Sequence, residues 1–141
     1  LVVLAGDTHN AWANDLKAIN FGNLESDPQE AFNGSIPAGV EFAASSVTSS
    51  GFEEFLSLPD DPQAIQQIEA AATLLFGENN SFININQRGY MLMTFTPESA
   101  RADWLFLDTV KSDEAVTDES RSRSLQVLAG QKTISEINQE I

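Results

Sequence analysis

The spacing of apolar positions changes along the chain, and each change predicts an element. Leu1 to Ala5 form an unbroken, β-branched run that stops at Gly6, the pattern of a strand buried on both faces of a sheet. From Ala11 to Phe76, short strand-like and helix-like pieces alternate with loops. Ser26 to Gly39 (SDPQEAFNGSIPAG) is crowded with turn formers and reads as a long surface connection. Val40 to Ala44 reads as a strand, followed by a Ser/Thr loop that closes at Gly51. The clearest helix begins at Pro62, with Asp61 as its N-cap. Ile65, Ile68, Ala72 and Leu75 recur at helical spacing, and Gly77 ends it.

After Ser81 the period becomes two. SFININ leads into RGYMLMTFTPESARADWLFLDTV, two alternating runs joined at Pro97 to Ala100. Met91, Met93 and Phe95 share one face of the first run, and Ala102, Trp104 and Phe106 share one face of the second, which predicts an antiparallel hairpin. Lys111 to Ser124 is a polar connection, and Leu125 to Ile134 (LQVLAGQKTI) is a further strand candidate. The expected class is α/β of the α+β kind, closing in an antiparallel β-meander, with the Met and aromatic stripes as core.

Composition narrows the functions available. A length of 141 residues suits one domain with a real core. The formal charge of −14 repels phosphate backbones and anionic lipid, so nucleic acid and polybasic membrane attachment are not expected. An anionic substrate would need bound cations to hold it. The absence of cysteine excludes disulfides, thiolate metal sites and cysteine nucleophiles. No apolar run approaches the roughly 18 residues of a transmembrane helix, and the start is too short and uncharged for a signal peptide. A chain that opens inside a strand is expected to be the C-terminal part of a longer one, residues 1–141 being one piece of a single domain.

The first strand runs out into Gly6-Asp7-Thr8-His9-Asn10, which holds the sole histidine. Open α/β sheets place ligands beyond such strand ends. In an extended segment, Asp7 and His9 project to one side and can converge on a cation, the carboxylate suiting hard ions and the imidazole iron, zinc or manganese. Asn10 and Asn14 can polarise a substrate oxygen or hold a water. The structural alternative has Asp7 capping a turn and His9 as a hydrogen-bonded loop residue. Trp12 is either a pocket wall or packing over the motif, and Arg88 either reaches a substrate phosphate or pairs with a carboxylate. The Ser45–Gly51 loop offers hydroxyl and N–H groups to a phosphate, or is simply a polar loop.

Several stretches in order resemble the C-terminal half of the alkaline phosphatase D family of metallophosphoesterases. These are Leu4 to His9, Trp12-Ala13, Asp15-Leu16, the Val40 to Phe42 strand, the Ser46 to Gly51 loop, and the Arg88-Gly89-Tyr90 hairpin whose second strand carries Trp104. The resemblance covers nearly the whole chain. It implies a four-layer α-β-β-α sandwich with two metal ions, iron and calcium, at the strand ends. It implies that Asp7 and His9 each ligate one metal, that water activated by the metals is the nucleophile with no nucleophilic side chain in this chain, and that the substrate is a small phosphate ester. Export to the periplasm or cell exterior is implied as well.

The family's other metal ligands would lie upstream. The isolated chain is therefore expected to bind metal weakly, to hydrolyse little, and to expose the apolar edge of Leu1 to Gly6. The competing expectation is a self-contained acidic β-rich binding module, indifferent to metal and to loss of His9.

Overall fold

The computed structural model describes residues 1–19, 36–58 and 61–137. Two four-stranded sheets form the frame. Sheet A contains β1 (Val2–Ala5), β2 (Ala11–Ala18), β3 (Ile36–Ala43) and β4 (Asn80–Asn84) in the order β1-β3-β2-β4. β1 runs parallel to β3, and the other pairs are antiparallel. Sheet B is the expected meander of β5 (Gly89–Phe95), β6 (Ser99–Phe106), β7 (Arg123–Leu128) and β8 (Ser135–Glu136), each strand antiparallel to the next. Between the sheets in sequence lie a single helical turn, α1 (Phe52–Phe55), and the helix α2 (Pro62–Phe76).

Alternation puts one face of each sheet into a shared core. Ala11, Ala13, Val40 and Phe42 from sheet A meet Ala102, Trp104, Phe106, Leu125 and Val127 from sheet B. The alanines of β2 leave room for the large rings of β6, so small faces large across the interface. Trp104 is the joint. Its ring meets Phe42 edge-on at 5.7 Å and Phe82 at 5.1 Å, and its Nε1 donates to the Ala43 carbonyl at 2.8 Å. The other face of sheet A carries Trp12, Ile83 and Ile85 against Leu58, Ile65, Ile68 and Ala72, so α2 forms an outer layer. The described residues thus stack as helix, sheet and sheet. None of their helices is long and apolar enough to cross a membrane.

α2 starts as the sequence predicts. Asp61 accepts a hydrogen bond from the Gln63 N–H at 2.9 Å, and Pro62 occupies the first turn. Leu75, expected on the inward face, is 83% exposed, because the last turn passes beyond the strands that cover Ile65. Glu69, one turn from Ile65, is buried instead and is held by Arg121 at 2.6 Å and by the Ile85 N–H at 2.9 Å. Burial pushes its carboxyl up from the usual range, against those hydrogen bonds.

Other expectations shift for identifiable reasons. Among the described residues β1 is an edge strand rather than one buried on both faces, since only β3 pairs with it there. Leu1 and Leu4 remain 75% and 52% exposed, the bare apolar edge also expected of this run. β3 begins at Ile36, so the last residues of the predicted surface connection are strand, while residues 26–35 of that connection lie outside the described residues. Pro37 is tolerated in β3 because the ladder to β2 shifts register between Leu16 and Lys17. In the hairpin, Met91 sits opposite Trp104 and Met93 opposite Ala102, but Phe95 at the turn end is exposed. The LQVLAGQKTI strand is cut short: β7 starts at Arg123, inside the predicted polar connection, and ends at Leu128; a turn follows, and the short β8 that returns beside it lies just past Ile134.

Candidate functional site

β1 stops at Ala5, whose carbonyl receives the Ala44 N–H at 3.0 Å and closes the parallel ladder. Beyond it the backbone does not stay extended. Asp7 (φ 73°) and His9 (φ 63°) both adopt the left-handed conformation, so the argument that an extended i, i+2 pair shares one side does not apply here. Asp and His are among the side chains that enter this region most readily, yet it still strains the chain. Asp7 is exposed and His9 half-buried.

The imidazole is fixed by one contact. His9 Nδ1 lies 2.5 Å from the Ser50 carbonyl oxygen, which can only accept, so Nδ1 carries the proton. In the neutral ring that leaves Nε2 as an open lone pair, the arrangement by which ligating histidines are usually oriented. His9 lines an open cleft of about 610 Å³ together with Thr8, Ser50, Phe52, Glu54 and Phe55. The donor set of an exposed carboxylate and an oriented imidazole suits a cation. Two donors do not complete a dinuclear site, and no cluster of three or more His, Cys, Asp or Glu among the described residues could hold an ion.

The loop behind His9 is fastened from sheet B. Arg88 is only 4% exposed and spends its guanidinium on the protein. Nε donates to the Ser49 carbonyl at 2.6 Å, Nη1 to the Asn86 carbonyl at 2.8 Å, and Nη2 to Glu53 at 2.6 Å. Of its two readings from the sequence, the geometry is that of the carboxylate pair. Gly51 is buried where this pair passes: a Cβ there would stand 2.4 Å from Glu53 Oε2 and 2.8 Å from Arg88 Nη1.

Asn10 is 1% exposed, and neither its Oδ1 nor its Nδ2 has a hydrogen-bond partner among the described residues. Ser45 Oγ and Asn86 Oδ1, beyond the ends of β3 and β4, are also buried and unpartnered. Polar groups left in this state cost about 1–3 kcal/mol each, so this end of sheet A carries polarity that the core does not require. Trp12 and Asn14 stand apart from the cleft. Trp12 packs on the α2 side and its Nε1 donates to Glu41 at 3.0 Å. Asn14 donates to the same carboxylate at 3.1 Å and accepts from Asn80 at 2.8 Å.

The structure therefore brings His9 and the 45–51 loop together, leaves Asp7 exposed and off the lining of their cleft, ties Arg88 to that loop, and leaves Trp12 and Asn14 in sheet A. Reading the sequence alone missed Glu53, and it pointed to the 45–51 loop for its hydroxyl and N–H groups, not for the Ser49 and Ser50 carbonyls that Arg88 and His9 use. The acidic Glu53-Glu54 pair directly after Gly51 was the available signal for the first, whereas carbonyl contacts leave no trace in side-chain identity.

No curated protein and no solved structure matches the chain. The family model for PhoD-like phosphatase matches residues 1–104. That span takes in all of sheet A, the Asp7–His9 turn, the loop to Gly51, Arg88 and most of the Trp104 strand. On that match the chain belongs to the PhoD-like phosphatase family.

Proposed function

We propose that the full-length protein hydrolyses phosphate esters with the help of bound cations, and that this chain supplies Asp7 and His9 as two of their ligands. The observation that carries the reading is the Ser50 carbonyl on His9 Nδ1, which presents Nε2 as the free nitrogen of a residue lining an open cleft. Iron and calcium, the ions the family resemblance implies, would supply Lewis-acid charge for the phosphoryl oxygens and acidify the attacking water. Asp7 offers an exposed carboxylate, suited to the harder ion. Arg88 holds the loop on which His9 leans. No side chain here serves as nucleophile, and the remaining ligands would come from elsewhere in the protein.

The charge of −14 fits this division of labour, since an anionic ester would be attracted by the cations and not by the surface. We also place the protein outside the cytoplasm, in the periplasm or beyond, on the resemblance to exported enzymes. The test is hydrolysis of a chromogenic phosphodiester by the full-length protein with iron and calcium, beside His9→Ala and Asp7→Ala. Both variants should fall to the uncatalysed background while keeping the parent's circular dichroism. A fully active His9→Ala protein would overturn the proposal and return the chain to an acidic β-rich binding module.

A further inference from the structure

We infer that Arg88 is a positioning residue that sets the tautomer and aim of His9 through the backbone of Ser49 and Ser50. The two carbonyls are consecutive. Arg88 Nε binds the first at 2.6 Å, and His9 Nδ1 donates to the second at 2.5 Å. Turning the loop to release one would turn the other. The same peptide is held again by Ser46 Oγ, which donates to the Ser49 carbonyl at 2.8 Å, while the Gly89 N–H reaches the Ser46 carbonyl at 3.2 Å. β5 therefore grips the loop through Arg88 and its neighbour Gly89.

A role for Arg88 on substrate phosphate does not fit this placement. Its charge is met by Glu53 at 2.6 Å, with Glu54 at 3.8 Å behind it. Its three bonds run to acceptors on three different segments, which requires the planar fork of an arginine; a lysine ammonium keeps the charge but not that geometry. Gly51 completes the device, because a side chain there would strike both members of the ion pair. The consequence for catalysis rests on the proposed role of His9 as a ligand, whereas the tautomer claim stands on the geometry alone.

His9 is the only histidine in the chain, so imidazole nitrogen NMR on protein made without a histidine tag reads this ring and no other. At about pH 8.5, where imidazoles are generally neutral, the unsubstituted chain should show the Nδ1–H tautomer. Arg88→Lys should lose that signature and move to the Nε2–H form that free imidazole side chains favour. Arg101→Lys, which alters the Arg101–Asp103 pair of sheet B, should leave it untouched.

A folded Arg88→Lys chain, with unchanged near-ultraviolet dichroism, that keeps the Nδ1–H tautomer would overturn the inference. So would an Nε2–H tautomer in the unsubstituted chain. Should Arg88→Lys fail to fold, Gly51→Ala decides in its place, since it displaces the ion pair while keeping every polar group. Added Mn(II) separates the two readings. The expected tautomer with broadened ring signals supports both, and the expected tautomer without broadening supports the positioning role while counting against the metal role.

Discussion

In sheet B every strand pairs with the strand that follows it in the sequence, whereas in sheet A only β2 and β3 are both sequence neighbours and partners. β1 reaches across to β3, and β4 arrives beside β2 after the whole of α1 and α2. Both sheets use left-handed backbone positions, and they fill them differently. The turn after β7 places Gly130 at φ 79°, while the turn after β1 places Asp7 and His9 at φ 73° and 63°. Glycine meets no steric penalty there, whereas Asp7 and His9, like Ser57 at φ 52°, do. Beside the strained Asp7–His9 turn, Asn10 lies buried with no hydrogen-bond partner among the described residues.

The comparison assumes that one core serves both sheets, and Trp104 tests that assumption with the largest effect. Trp104→Ala removes a side chain 1% exposed, empties the space between Phe42 and Phe82, and strands the Ala43 carbonyl. A loss of about 3–5 kcal/mol is expected, a large part of the stability of a small domain. Urea unfolding followed by both near- and far-ultraviolet dichroism should show a single transition at a lower midpoint. Separate transitions would mean that the sheets are independent and that their contrast has nothing to do with a shared frame.

A medium effect separates the regions by pH. In sheet B, burial alone would raise the Asp103 carboxyl, but hydrogen bonds from Arg101 and Ser124 outweigh it and hold it below its ordinary 3.8. A depressed acid stabilises the fold above its unfolded value, and that contribution disappears as pH falls through the folded value. On the helix side of sheet A, burial raises Glu69 above its ordinary 4.5, so its contribution is present below that pH and is lost as pH rises through the folded value. Asp103→Asn should therefore cost about 1 kcal/mol near neutrality, allowing for solvent screening of Arg101, and progressively less below pH 3.8. Glu69→Gln should gain on the unsubstituted chain as pH rises above 4.5. Denaturation midpoints across that range check both, and parallel profiles would remove the distinction.

The same contrast explains what the sequence made legible. The meander could be read because alternation and pairing are local: Met91 opposite Trp104 follows from period and turn alone. α2 could be read because Asp61, Pro62 and Gly77 mark its ends. The order of sheet A could not, since nothing in Val2 to Ala5 specifies β3 as the strand it pairs with. Leu75 lacks the burial that helical spacing assigned it while Glu69 is buried, because burial depends on where β4 and Arg121 lie. At the site, residue types pointed to Asp7 and His9, but the left-handed turn and the Ser50 contact are tertiary facts. Arg88 was legible as a charge in need of a partner and not as a brace, since two of its acceptors are backbone carbonyls.

The smallest effect bears most directly on why the two turns differ. Asp7 is exposed, and no hydrogen bond to its carboxylate is formed among the described residues, so its left-handed backbone is strain without visible return. Asp7→Gly removes a steric cost of roughly 1 kcal/mol but adds roughly 0.5 kcal/mol for the extra chain entropy that glycine loses on folding, leaving a small net gain. Gly130→Asp makes the reverse change in sheet B and should destabilise by a similar amount or more. Thermal midpoints of the two variants should therefore move in opposite directions. A gain for Asp7→Gly means that the carboxylate is kept at the expense of stability, as a ligand would be. A loss means that Asp7 holds the turn together, and the contrast between the two ends of the molecule would then be one of packing alone.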